Sequence, residues 1–239
     1  MLEKTPLDRV LFLDIETVPQ TYSYLDLDEK TKELFNTKTR FSQNEEKSFE
    51  LLYNERGGIL SEFGKIICIS VGFVSSDRLG VRKIRLKSFS HDDEETLLRQ
   101  FKELVETKEF ILCGHNSKEF DIPYICRRML INGIKLPSVL DIAGKKPWEI
   151  NHLDTLELWR FGDYKAFTSL ALLCHVFQIP TPKDDISGAD VARVYYEEND
   201  LKRIAIYCEK DVVALIQLFL RMRGDSLVEE ANISTASES

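Results

Sequence analysis

The chain has 239 residues, 32 Lys and Arg against 40 Asp and Glu, a formal net charge of −8, and 43% hydrophobic residues. The apolar share excludes a globally disordered chain, and at roughly 150 residues per domain the length implies one large domain or two small ones. The acidic balance leaves no broad basic footprint and, taken alone, argues against a nucleic-acid-binding protein.

The first ten residues lack a basic start followed by an apolar stretch, so they do not read as a signal peptide. The densest apolar segment, residues 66–74, is far shorter than the ~20 residues a membrane span needs, and no membrane partner is expected. Cys68, Cys113, Cys126, Cys174 and Cys208 are odd in number and widely spaced. They fit neither a disulfide framework nor a Cys-x-x-Cys site, and read as buried free thiols of a cytoplasmic protein.

In chain order, residues 10–18 read as a buried strand, and residues 20–60 as a polar, partly helical insertion. Residues 65–75 and 81–89 follow as a strand pair joined by a short turn. Residues 93–108 carry Leu97, Leu98, Phe101, Leu104 and Val105 at helical spacing. A short strand at 110–114 precedes a helix opening near Asp121, and residues 153–159 suit strand or helix equally. Helices are expected over 167–177, 190–198 and 201–223, with Pro180, Pro182 and Gly188 marking the loop between the first two. Residues 1–224 form one expected domain, and the polar tail 225–239 reads as disordered. The order of elements predicts an α/β fold with a partly antiparallel sheet.

Three acids sit where acids are costly. Asp14 and Glu16 interrupt an apolar strand two residues apart, so both project from one face while Ile15 projects from the other. Two like charges buried together call for a positive partner, and hard divalent cations favour carboxylate oxygen. A strand end where both acids reach solvent is an equally good reading of the pair alone. Asp211 occupies a slot in the apolar stripe Ile204, Cys208, Leu215, Leu218, Met222, with Tyr207 one turn earlier on the same face. Asp121 and Asn116 by themselves read as a helix cap and a turn residue. Short motifs recur by chance: Asp-x-Glu also starts at Asp92 and Asp93, and Tyr-x-x-x-Asp occurs four times. Only Asp14/Glu16 lie in a buried-strand pattern, and only Tyr207/Asp211 lie in a long apolar helix.

The ordered series Asp14-Ile-Glu16-Thr17, then Gly114-His-Asn116 through Phe120-Asp121, then Tyr207-Cys-Glu-Lys-Asp211 resembles the three motifs of the DEDD exonuclease superfamily, tyrosine subclass. It is most similar to the stand-alone predicted 3′–5′ exonucleases related to the proofreading domain of family-B DNA polymerases, over about residues 8–223. The histidine subclass places His five positions before the last Asp, where this chain has Ile206; the nearby His115 reads as structural.

The resemblance implies an RNase H-like fold with a mixed five-stranded sheet flanked by helices. It implies two divalent metal ions, Mg²⁺ or Mn²⁺, held by Asp14, Glu16, Asp121 and Asp211, and hydrolysis of phosphodiester bonds at the 3′ end of single-stranded nucleic acid, with DNA favoured over RNA. Tyr207 would be neutral and orient the attacking water; Thr17, Asn116 and Phe120 are the candidates for holding the terminal nucleotide. A structure-selective endonuclease on the same fold and a non-catalytic nucleic-acid-binding module are the alternatives. Metal charge at the site changes what the −8 means for a substrate, although the lack of a basic surface still points to weak grip away from the site and distributive action.

Overall fold

In a computed structural model of the chain, residues 2–43, 47–180 and 186–236 are described. The first strand, β1 (Val10–Pro19), is an apolar run interrupted by the acids. An insertion follows with two short helices, α1 (Glu29–Thr39) and α2 (Phe49–Arg56), begun by the caps Asp28 and Ser48. Its rings and aliphatic side chains, Leu27, Phe35, Leu52, Tyr53 and Phe63, form a small core of their own. The strands β2 (Gly64–Ser76) and β3 (Arg82–Ser90) pair antiparallel, as their alternation predicts. Helix α3 (Glu94–Val105), capped by Asp93, leads to β4 (Ile111–Gly114) and α4 (Asp121–Ile131). The ambiguous segment at 153–159 is both things: a two-residue strand β5 (Leu153–Asp154) and a helix α5 (Thr155–Arg160).

Helix α6 (Leu170–Val176) begins after the cap Ser169, later than the pattern predicts. The expected helix at 190–198 is a short α7 (Val191–Arg193) running into a π turn, Val194–Glu198. The long helix α8 (Leu201–Met222) is where the stripe predicts it. Pro182 and residues 237–239 lie outside the described residues. Among the described residues no helix is long and apolar enough to cross a membrane.

The sheet has the order β5-β4-β1-β2-β3 and one further strand, β6 (Ile233–Thr235), which pairs parallel to β3. The sheet therefore has six strands, not five, because part of the expected disordered tail is bound. Val228 is buried, its N–H donates to Gln217 Oε1 (2.9 Å), and the Gln217 amide donates back to its carbonyl (2.7 Å). The Ala236 N–H then donates to Leu86 O at 2.8 Å. An open β3 edge and a buried Val outweigh the polar composition that reads as disorder.

Alternation along β1 decides where the acids go. Leu11, Leu13 and Ile15 pack with α3 and α4, whereas Val10 and Phe12 pack with α8. Asp14 and Glu16 continue the second series, so they face the helix that carries Tyr207 and Asp211. The helix lies close: a Cβ on Gly72, opposite Phe12, would stand 2.8 Å from Ile216 and 2.9 Å from Val212. The β1–β2 register shifts between Glu16 and Thr17, so the ladder is interrupted where the second acid sits.

Candidate active site

Three elements meet at one place: the middle of β1, the start of α4 and the first half of α8. Glu16 is 8% exposed, Asp121 is 5% exposed, and Asp14 and Asp211 are half-buried. Asp121 is not the helix cap that its position predicts; Phe120 holds that place without a side-chain bond. The Asp121 carboxylate instead accepts its own N–H and that of Ile15, which ties α4 to β1.

The electrostatics follow from burial. Loss of solvation, then the charges of Asp121 and Asp211, push the Asp14 carboxyl well above the usual carboxylate range. Burial and then Asp14 do the same to Glu16. Asp121 is pushed up to about 7, chiefly by burial, with partial relief from the two backbone N–H groups. The Tyr207 hydroxyl donates to Asp211, and burial, then the Asp211, Glu16 and Asp14 charges, push its pKa far up, so the phenol is neutral. The charges bearing on Asp14 and Glu16 come from carboxylates and thiols. Ligand atoms of Asp14, Glu16 and Cys208 lie within 4.8 Å of one another. A set of clustered oxygen donors in deficit of positive charge fits a divalent cation.

The other residues singled out from the sequence are placed as follows. Thr17 is half-buried; its hydroxyl bonds that of Tyr124, which in turn donates to Gly58 O at 2.6 Å. Asn116 adopts φ +63°, and its carbonyl accepts the N–H groups of Glu119 and Phe120, the turn its sequence context suggests. Phe120 packs on the α3–α4 core and on Tyr124, with ring centroids 5.5 Å apart. His115 is fixed between Thr155 Oγ1 (2.9 Å) and Thr168 O (2.8 Å), so Nε2 carries the proton, Nδ1 accepts, and burial lowers its pKa.

Two supporting groups escape the sequence reading. Asp154, 2% exposed, accepts the N–H groups of Asn116 (2.9 Å), Lys118 (3.0 Å) and Leu156 (2.9 Å), and its charge bears on Asp121. Its signal was present: Asp154-Thr-Leu-Glu157 is a helix-start pattern. The second is a buried ion pair, Arg128–Glu94, at 2.5 Å. Arg128 also donates to Ser61 O (2.9 Å), and Glu94 accepts the Ile66 N–H (2.7 Å) and the Asn132 amide (2.9 Å). One pair thus joins α4, α3, β2 and the insertion behind Asp121. Nothing in the local pattern of either residue announces this.

The architecture is shared with a far larger enzyme. The structure of the family B DNA polymerase from the hyperthermophilic archaeon Pyrobaculum calidifontis matches with a TM-score of 0.53 and 17% identity, covering 91% of this chain and 24% of that one. At that identity the likeness is one of fold: a mixed sheet flanked by helices, of the RNase H-like kind found in polymerase exonuclease domains. This chain spans 24% of that polymerase. Comparison with curated proteins finds no match. Residues 59–235, well over half of the chain, match the model of a family described as predicted 3′-5′ exonucleases related to the exonuclease domain of PolB, and the chain belongs to that family. The matched region contains Asp121, Tyr207 and Asp211 and begins after the strand with Asp14 and Glu16.

Proposed function

We propose that the protein is a metal-dependent 3′–5′ exonuclease that hydrolyses the terminal phosphodiester bond of single-stranded nucleic acid, DNA in preference to RNA. The observation that carries this reading is the convergence of Asp14, Glu16, Asp121 and Asp211 from three separate elements, with charges that oppose one another. These four acids would hold two divalent ions, Mg²⁺ or Mn²⁺. Such ions supply Lewis-acid charge for the leaving oxygen and lower the pKa of a bound water.

The chain's own residues do the rest. Tyr207 is a neutral phenol already bonded to Asp211, so it orients the attacking water and does not remove its proton. Ile15 N–H and the Asp154 network hold the Asp121 loop, which fixes the acids before substrate arrives. Thr17 and Phe120 flank Glu16 and Asp121 in the sequence, and with Asn116 they would contact the last nucleotide.

The test is nucleotide release from 3′-labelled single-stranded DNA and RNA in Mg²⁺ or Mn²⁺. Asp14→Ala and Asp211→Ala should abolish it, and undiminished activity in either variant refutes the reading. A circular single strand should survive intact; cleavage of the circle would assign an endonuclease instead.

A further inference from the structure

We propose that Cys208 is a third ligand beside Asp14 and Glu16, so that this position accepts thiophilic divalent cations, of the zinc and cadmium class, as well as oxygen-seeking ones. The inference rests on the reading that Asp14 and Glu16 hold metal.

Cys208 follows Tyr207 on α8 and is fully buried against β1. Its single S–H is shared between two oxygens of Asp14, the carbonyl O and Oδ2, each 3.5 Å from Sγ. The Glu16 carboxylate enters the same space: ligand atoms of all three residues lie within 4.8 Å of one another. Glu16 is more than nine-tenths buried, beside Asp14 on the same face of β1. The charges bearing on it come from Asp14, Cys68, Asp211 and Asp121, all acidic groups, so an ionised carboxylate at such depth calls for a cation.

The distances suit one kind of ion. With M–S about 2.3 Å and M–O about 2.1 Å at the tetrahedral angle, sulfur and oxygen stand about 3.6 Å apart. Cys208 Sγ and Asp14 Oδ2 stand at 3.5 Å. Here a thiol proton bridges the two atoms that such a cation would bridge. Binding breaks the S–H bond, forms the M–S bond and releases the proton to solvent, with no change of oxidation state. Mg²⁺ takes only oxygen ligands, so the sulfur adds nothing to its binding. Thiolate ligands favour zinc-class ions over magnesium, so sulfur at this position sets metal choice without altering the acids.

Cys68 defines the control. Its thiol bonds Cys208 and lies 3.6 Å from Ser70 Oγ, but it is not among the clustered ligand atoms. It bonds the ligand sulfur from outside the trio of clustered ligand atoms.

The experiment titrates the full chain, freed of metal by chelator, with Cd²⁺ and follows the ultraviolet thiolate-to-metal charge-transfer band. One equivalent should develop the band in the wild type and in Cys68→Ser, and none should appear in Cys208→Ser. Competition with a chromophoric chelator should show Zn²⁺ bound at least about tenfold more weakly by Cys208→Ser, since even supporting residues of metal sites cost about 10–100-fold. A band retained in Cys208→Ser, or absent from the wild type, overturns the assignment. If Cys208→Ser fails to fold by circular dichroism, Asp14→Asn decides with the thiol intact: a band unchanged in affinity overturns it, and a weakened one supports it. The readout is separate from catalysis. A band without Mg²⁺-dependent nuclease activity would refute the proposed function and keep the ligand, whereas activity without a band would do the reverse.

Discussion

Asp121→Asn should make the metal-free protein more stable, not less. The carboxyl is 5% exposed, and burial raises its pKa from the usual 3.8 to about 7. A folded pKa above the unfolded one means that the protonated form is favoured in the fold. The associated stability is present below pH 4 and is lost as pH rises toward 7. At about 1.4 kcal/mol per pH unit, ionised Asp121 costs the metal-free fold about 4 kcal/mol at pH 8. Asn keeps the shape and an oxygen to accept the Ile15 N–H, but never ionises. For a chain of this length, about 4 kcal/mol corresponds to a rise of about 10 °C in melting temperature. The assay is thermal and urea unfolding in EDTA at pH 4 and pH 8. Wild type should lose stability between the two, and the variant should lose about 4 kcal/mol less, keeping the part that comes from Asp14 and Glu16. Added Mg²⁺ should stabilise the wild type at pH 8 more than the variant. Equal pH dependence in the two proteins would refute the claim that this carboxyl is buried without compensation.

Three other outcomes follow from the same contacts. Arg128→Met leaves Glu94 charged and buried, which should cost about 3–5 kcal/mol by urea titration; a loss under 1 kcal/mol would mean that the pair is solvated. Asp154→Asn strips an acceptor from the backbone N–H groups of Asn116 or Lys118, costing about 1–3 kcal/mol, and should speed hydrogen exchange in residues 115–120. Tyr207→Phe should lower nucleotide release by about 10²-fold, the cost of losing orientation of the water, with little change in melting temperature, and unaltered release would remove Tyr207 from the reaction.

The sequence made the acids legible because burial makes acids conspicuous: Asp14 and Glu16 break an apolar strand, and Asp211 breaks an apolar stripe. The central strands and α8 followed from the same periodicities. Other features depend on long-range partners that no local pattern carries. The tail binds because β3 has an open edge and Gln217 lies 11 residues from Val228. Arg128 and Glu94 look like ordinary helix surface until α3 and α4 pack together. Asp121 reads as a cap because its preference is local, whereas the Ile15 N–H it accepts arrives from the far end of the chain.

The placement of Asp14 and Glu16 on β1 has a consequence for how such a site tolerates change. β1 is hydrogen-bonded on both sides, antiparallel to β2 and parallel to β4. A slip of one residue would turn both carboxylates into the α3–α4 core and bring Leu13 and Ile15 out toward α8. The fold would then bury two acids among aliphatic side chains, which is far costlier than any displacement on a loop. Misalignment that would blunt the site is thus also misalignment that would unfold the protein, so the spacing of the acids is guarded by the stability of the whole sheet.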